Sequence, residues 1–333
     1  MAHNLRDETS GLLYVYPPFI EQGFERNPSP MITEGPGLGS SKSVKAANVE
    51  PGRPAGGLRE SNGSASAGSR SCSVDDAAIE ALFAEDARAR NLPPVVYVIA
   101  AYNEEGAIGP VLDGLRSPIC GLPAAIVIVV DGASDGTAEE ARKHGAIVCD
   151  VRVRRGQGSA LKLGYRIARE GGARYIVTTD ADGQYDPADA EGVLEPVVSG
   201  TADFVAGSRI LGRDETTDPL RALGVRVFAG VISLLTGHKV TDPAFGLRAM
   251  RVEVPAALDL RQPQYQASEL LIGVIARGFR ATERPATMQR RRISETKKGR
   301  NLQYGIRFAR VIATTWWRER TTSAITPATT RAS

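Results

Sequence analysis

The sequence predicts an α/β protein with a mostly parallel central sheet flanked by helices, and three observations predict it. Short continuous runs of Val, Ile and Ala alternate with helical patterns, the order that builds parallel sheets from βαβ units. The runs are apolar at successive positions rather than at every second one, which marks strands buried on both faces. Each ends in a polar loop. Three of those loops carry Glu104, Asp131, and Asp180 with Asp182, beyond the strand ends where ligands of such sheets bind.

Taken in order, Ser73 is placed to cap a helix from Val74 to Arg90. Val95 to Ala101 is the first strand and runs into Tyr102-Asn103-Glu104-Glu105, after which Gly106 opens a helical pattern. Ala125 to Val130 is the second, followed by the loop Asp131 to Thr137 and a helix from Ala138 to His144. The third, Ala146 to Cys149, leads through Arg154-Arg155-Gly156-Gln157-Gly158 into a helix from Ser159 to Glu170. Tyr175 to Thr179 is the fourth strand and Asp203 to Ala206 the fifth. Further on, Val225 to Leu235 suits a buried or interfacial helix, and Glu269 opens an apolar helix, Leu270 to Ala276.

The run Thr178-Thr179-Asp180-Ala181-Asp182-Gly183-Gln184 carries the most chemistry. Two carboxylates and an amide, spaced two apart after an apolar strand, suit a hard divalent cation, Mg²⁺ or Mn²⁺. Such a cation takes oxygen ligands and leaves positions for water and substrate phosphates. Asp180, Asp182 and Gln184 are the expected ligands, and the metal would hold a diphosphate leaving group. The same spacing occurs in ordinary surface turns, so the other motifs decide between the two.

Those motifs are Ala101-Tyr102-Asn103-Glu104-Glu105, Val130-Asp131-Gly132-Ala133-Ser134-Asp135-Gly136-Thr137, Gly156-Gln157-Gly158-Ser159-Ala160, Asp180-Ala181-Asp182-Gly183-Gln184 and Gly207-Ser208-Arg209. In this order they resemble the signature of family 2 glycosyltransferases with the GT-A (nucleotide-diphospho-sugar transferase) fold. Within that family the likeness is to the polyprenyl-phosphate, or dolichol-phosphate, sugar synthases. Thr236-Gly237, Thr241-Asp242, Phe245-Gly246-Leu247-Arg248-Ala249 and Glu269-Leu270-Leu271 match as well, so the resemblance spans Pro94 to Lys298.

The resemblance implies a metal-dependent enzyme that moves a sugar from a nucleoside diphosphate donor, a GDP- or UDP-sugar, to polyprenyl phosphate. It places Ala101, Tyr102, Glu104 and Asp131 at the nucleobase and ribose, with Gly156 and Gly158 in the loop beside the nucleotide. Asp180, Asp182 and Gln184 fall at the metal and diphosphate. Two positions depart from the pattern. The usual double aspartate is Val130-Asp131, and the usual asparagine and lysine around the glycine loop are Arg154 and Gln157, which leaves GDP or UDP open.

Arginine forks bind phosphate oxygens bidentately. Arg209, Arg221 and Arg226, and the later group Arg290, Arg291, Arg292, Lys297 and Lys298, are therefore candidates for an acceptor phosphate, or else solvated surface charge. By the resemblance, Arg209 and Arg221 contact that phosphate, with Lys297 of Glu295-Thr296-Lys297 nearby. A phosphate oxygen is already ionised at neutral pH, so it attacks the anomeric carbon without a strong base, and one in-line displacement inverts that centre. Catalysis then rests on positioning and on the metal at the departing diphosphate. A sugar hydroxyl would instead need a base, for which Glu269 or Asp242 are the candidates. Glu269 also suits a purely structural place at the positive end of its helix.

The 333 residues, with a net charge of +3, divide into three segments. Residues 1–72 form a leader rich in Gly, Ser, Pro and Asn, expected to be disordered; it lacks a signal peptide's apolar core, and Met31 is an alternative start. Residues 73–298 are the catalytic domain and 299–333 a basic amphipathic helix and tail. Three cysteines, Cys72, Cys120 and Cys149, fit a reducing cytoplasm. No run of eighteen apolar residues occurs, so no membrane span is expected.

From Arg277 onward fourteen Lys and Arg face three Glu. There Leu302, Ile306, Phe308, Val311, Ile312, Trp316 and Trp317 alternate with Arg307, Arg310, Arg318 and Arg320 at helical spacing. Such a helix either lies in an anionic membrane interface or packs on the catalytic domain or a partner. Nothing resembles a nucleic-acid reader, so no nucleic acid is expected. The expectation is sugar transfer to polyprenyl phosphate by a protein peripheral on the cytoplasmic membrane face. Transfer to a glycan or small-molecule hydroxyl, and a non-catalytic subunit of a membrane assembly, are the alternatives.

Overall fold

The computed structural model describes residues 73–216, 218–290 and 301–325, with side chains of the last stretch described from 305 to 321. The expected leader, and the basic stretch containing Arg291, Arg292, Lys297 and Lys298, lie outside the described residues.

Helix α1, Val74–Glu85, starts at Ser73, whose hydroxyl accepts from the Asp76 amide while Asp76 accepts from the Ser73 amide, a reciprocal cap. It stops five residues short of the sequence expectation. Asp86 ends it by accepting from the Arg88 amide and pairing with the Arg88 guanidinium, which starts a separate 3₁₀ turn, Ala87–Arg90.

Three βαβ turns follow: β1 Val95–Ala101, α2 Glu105–Gly114, β2 Ala124–Asp131, α3 Thr137–Lys143, β3 Ile147–Val151, α4 Gln157–Glu170 and β4 Tyr175–Asp180. The strands pair in parallel, with Val98 of β1 opposite Val127 of β2 and Thr178 of β4. They are buried on both faces, as their unbroken apolar runs require. Gly164 lets α4 press onto the sheet, because a Cβ there would collide with the Val98 side chain.

After α5, Asp189–Val198, the fifth strand β5 runs Phe204–Asp214, eight residues beyond its expected end. It pairs with β7, Ala281–Met288, from Phe204 to Ser208 and again, after a register shift, at Arg213 and Asp214; the residues from Ile210 to Arg213 are exposed, so apolar patterning did not mark them. Between them come α6 Pro219–Thr236, β6 Arg248–Arg251, the short α7 Glu253–Ala256 and α8 Gln266–Ala276; α9, Asn301–Ile325, closes the described chain. The sheet has seven strands in the order β3-β2-β1-β4-β6-β5-β7. Only β6 runs antiparallel to its neighbours, so the sheet is mixed but mostly parallel.

Helix α6 differs from expectation. It is eighteen residues long with a mean hydropathy of 1.4 and is 17% buried, long and apolar enough to cross a membrane by length and composition. Arg221 and Arg226 interrupt the run and hid it from a search for unbroken apolar sequence. Val225, Ala229 and Ile232 face the core. Leu220, Leu223, Val227, Val231 and Leu234, recurring every three or four residues, form one exposed apolar stripe.

The carboxyl-terminal helix packs on the folded unit. Phe308, Val311, Ile312 and Glu319 of α9 are buried against α6 and α8, and the Trp316 indole donates to the Leu235 carbonyl at 2.8 Å. Of the two readings the sequence left open for this helix, packing on the domain is the one seen for Trp316, while Trp317 points outward, 68% exposed.

Candidate active site

One cavity of about 420 Å³ opens beyond the carboxyl ends of β1, β2 and β4. The structure brings Ala101, Tyr102, Glu104, Asp131, Gly156, Gly158, Asp180, Asp182, Gln184 and Arg221 to its wall. It does not bring Arg209 or Glu269 there, and Lys297 lies outside the described residues.

The loops after β1 and β2 are bonded to each other. The Ser134 amide donates to Asn103 Oδ1 at 2.8 Å, the Glu104 amide to Thr137 Oγ1 at 2.9 Å, and the Gly136 amide to Glu105 Oε2 at 3.1 Å. Asn103 takes a left-handed backbone to make this turn. The Arg154 guanidinium lies 3.8 Å from the centre of the Tyr102 ring, close enough for a cation–π contact.

Asp131 is 3% exposed and holds the glycine loop: its Oδ1 accepts from the Arg155 amide at 2.9 Å and its Oδ2 from the Gly156 amide at 2.6 Å. Gly156 has φ +104°, a backbone that side chains resist. A Cβ on Gly158 would meet the Gln262 carbonyl, and the Gly158 amide donates to Pro263 O at 2.8 Å. The loop is thus pressed onto the segment that leads into α8, and the Gln266 side-chain amide donates to the Gly158 carbonyl at 2.8 Å.

Asp180 is the last residue of β4, and Asp182 and Gln184 follow on the turn. Gln157 donates to Asp180 Oδ1 at 3.0 Å, and Asp182 Oδ1 accepts from the Gln184 amide at 3.1 Å. Beneath the turn lies Gly246, whose amide donates to Tyr185 Oη at 2.8 Å and whose carbonyl accepts from Thr178 Oγ1 at 2.7 Å. Burial, helped by the nearby Asp180 charge, pushes the Tyr185 phenol well up, so it stays protonated.

Arg209 is corrected most. It was expected at an acceptor phosphate; instead it is 3% exposed, with Nε 2.6 Å from Asp242 Oδ2. Burial would lower its pKa, but the Asp242 charge, joined by Tyr185, by the hydrogen bond to Asp242 and by the Asp214 charge, outweighs burial and holds it above the usual value. Asp242 is thereby spoken for as well. Its neighbour Thr241 shares a 2.6 Å hydrogen bond with Ser208, and Glu283 of β7 accepts from the Thr241 and Asp242 amides. The matching motifs Gly207-Ser208-Arg209 and Thr241-Asp242 therefore lock β5, β7 and the loop before β6 together.

Glu269, the expected base, is 1% exposed and accepts from the Arg261 and Gln262 amides at 3.0 and 2.9 Å. It also pairs with Arg318 of α9 at 3.0 Å. It shapes the segment before α8 and anchors α9, and it does not line the cavity. Among the wall residues given no role from sequence are Arg248, Tyr185 and Arg307. Arg248 stood within a matched motif; Arg307 was read only as part of a basic helix face.

Among the described residues no three His, Cys, Asp or Glu side chains gather into a complete metal cage. Asp180, Asp182 and Gln184 offer oxygen donors only, the set that suits a hard cation whose remaining positions go to water and phosphate.

The model of glycosyl transferase family 2 matches residues 97–256. The chain is 35% identical over 205 residues to a dolichyl-phosphate hexose transferase of Haloferax volcanii, covering 60% of this chain and 84% of that one. It is 31% identical over 215 residues to an undecaprenyl-phosphate mannosyltransferase of Micrococcus luteus, covering 61% and 86%. A glucosyl-3-phosphoglycerate synthase of Mycobacterium tuberculosis, solved with Mn²⁺, UDP and glucosyl-3-phosphoglycerate, superposes with a TM-score of 0.52 at 21% identity, covering 74% of this chain and 84% of that one. That last likeness speaks for the fold, and the fold, the strand-end cavity and the sequence matches agree: this chain belongs to glycosyl transferase family 2, a hexosyltransferase on a GT-A fold.

Proposed function

We propose that the protein transfers a hexose from a nucleoside diphosphate sugar to the phosphate of a polyprenyl phosphate, with inversion at the anomeric carbon. The observation that carries this reading is the polarity of the cavity. Asp131, Asp180 and Asp182 stand at the strand ends, while Arg221 enters the same cavity from α6. Both bases that a hydroxyl acceptor would require, Glu269 and Asp242, are committed elsewhere. A phosphate needs neither. The names of the Haloferax and Micrococcus relatives support the same acceptor class.

In this reading Tyr102, Glu104 and Asp131 border the base and ribose, and the loop with Gly156 and Gly158 lets the donor approach the backbone. Asp180, Asp182 and Gln184 would hold Mg²⁺ or Mn²⁺, which when bound offsets the charge of the departing diphosphate. Arg221 positions the acceptor phosphate. A phosphate oxygen forms the bond to the anomeric carbon as the bond from that carbon to the diphosphate breaks, and the nucleoside diphosphate leaves. Asp182 acts through the diphosphate, not as a proton acceptor.

A lipid acceptor requires the cavity to meet a bilayer. The exposed stripe of α6 supports that placement, since the same helix carries Arg221 into the cavity. Peripheral seating by α6, on the cytoplasmic side to which sparse cysteine usage points, completes the proposal. The test is a donor survey: full-length protein, Mn²⁺ or Mg²⁺, polyprenyl phosphate in detergent, and GDP- and UDP-sugars in parallel. Lipid-dependent release of one nucleoside diphosphate is expected. Equal release without lipid would move the acceptor to water or a hydroxyl, and nucleotide binding without release would favour a non-catalytic subunit.

A further inference from the structure

We propose that α9 forms a working wall of the acceptor site, with Arg307 joining Arg221 to grip the phosphate monoester that receives the sugar. The inference rests on the phosphate-acceptor reading above and adds to it a residue from a different helix, one that the sequence left open between a membrane interface and a packing surface.

Arg221 and Arg307 both line the cavity. Other arginines are engaged: Arg209 with Asp242, Arg318 with Glu269, Arg277 with Glu319, Arg248 with the Phe245 carbonyl, and Arg154, also on the cavity wall, stacked on the Tyr102 ring. Arg221 and Arg307 differ. Neither side chain has a hydrogen bond or ion pair to any described residue; the one bond at Arg221 is its backbone amide donating to Asp218. Two uncommitted guanidiniums that reach one cavity from separate helices match a doubly charged tetrahedral group, because each fork can take two of its oxygens.

The backbone at Arg307 is held in place. Its neighbour Phe308 is 2% exposed, with its ring 4.7 Å from Phe228 of α6 and 5.9 Å from Tyr265 at the start of α8. Further along, the Trp316 bond to Leu235 and the Arg318–Glu269 pair pin the helix. Only the Arg307 side chain remains free to turn, so gripping a ligand orders one side chain and not a segment. The third contribution comes from α8. Its entry residue Tyr265 has a left-handed backbone and no side-chain cap, and Tyr265, Gln266 and Ala267 line the same cavity, which brings the positive end of an eleven-residue helix to that wall.

The test uses the full-length protein with the donor that the survey identifies, titrating two phosphate monoesters: a short-chain prenyl phosphate in detergent and 3-phosphoglycerate in buffer. Arg307→Gln is expected to raise the acceptor KM roughly ten- to hundredfold, the loss of a charge-assisted pair, and to leave the donor KM within about twofold. Arg307→Lys should restore part of it. Arg310→Gln, one turn along and exposed like Arg307 but not on the cavity wall, should change neither. A loss seen with prenyl phosphate alone assigns the site to the lipid head group; an equal loss with both esters assigns it to the phosphate itself. Either supports the inference. If the wild type turns over prenyl phosphate and Arg307→Gln keeps its acceptor KM, Arg307 is a solvated surface charge and the inference falls while the acceptor reading stands. If the wild type uses no phosphate monoester at all, the acceptor reading falls first and takes this one with it.

Discussion

The part of the site made from the ends of β1, β2 and β4 and the part expected from the later elements β5, α6 and α8 behave differently. In the first, Tyr102, Glu104, Asp131, Asp180, Asp182 and Gln184 all reach the cavity from the last residues of β2 and β4 or from the loops that directly follow β1 and β4. In the second, three charged residues singled out from sequence divide: Arg221 reaches the cavity, while Arg209 and Glu269 are buried in ion pairs with Asp242 and Arg318. A carboxylate just past a buried parallel strand has little choice of direction, because the strand aims it at the sheet edge. A charge on one of the later elements faces ligand, solvent or a counter-charge according to how distant elements pack. Motif matches therefore carry different meanings in the two halves: around Asp180 they surround the cavity, around Arg209 they hold β5 to β7.

Substitutions can break or sharpen that contrast. The largest effect is expected at Asp182→Ala, a loss of turnover of about 10⁴-fold, since several kcal/mol of charge stabilisation at the diphosphate would go with it. Its thermal midpoint should barely move; full turnover at saturating metal would remove Asp182 from the site. Arg209→Ala should show the opposite signature. Asp242 is left buried without its counter-charge, which costs about 3–5 kcal/mol of stability, while the folded fraction keeps its acceptor KM. An unchanged melting curve with a weakened acceptor KM would return Arg209 to the acceptor.

Gly158→Ala tests the seam between the halves. A methyl there meets the Gln262 carbonyl, so the loop or the entry to α8 must shift, at about 1–3 kcal/mol. Donor and acceptor affinities should weaken together, and a change confined to one of them would show the two walls to be independent.

The smallest effect lies in the scaffold of the strand-end half. His144, at the end of α3, sits 2.7 Å from Asp113 and 3.3 Å from Glu140. Hydrogen bonding to Asp113 is the main cause that raises its pKa above 6.5. A raised histidine adds stability that is fully present below its unfolded value of about 6.5 and fades as pH climbs through the folded value. Melting followed from about pH 6 to pH 8 should show a shallow decline that His144→Gln abolishes, with turnover unaffected. A decline that survives the substitution would place the titrating group elsewhere.

Much of the fold was legible because its signals are local. Unbroken apolar runs marked β1 to β4, and Ser73 marked the start of α1. The outer half of β5 carried no such signal, since its residues are exposed and rejoin β7 only at Arg213 and Asp214. The exposed stripe of α6 was hidden by Arg221 and Arg226. The cavity's strand-end residues were legible for the same local reason. Arg307 was not, because a basic residue on an amphipathic helix looks the same whether it meets water, lipid or a cavity.

By itself, then, the sequence determined the parallel α/β core and the loops that bring Glu104, Asp131, Asp180 and Asp182 to one edge, because strand burial and strand direction follow from neighbouring residues. Only the tertiary structure decided which charges are available for chemistry. The partners of Arg209 and Glu269 lie 33 and 49 residues away, and α9 meets α8 only once the sheet is formed. Whether a charge is paired or uncommitted depends on burial against distant elements, and no local pattern encodes that.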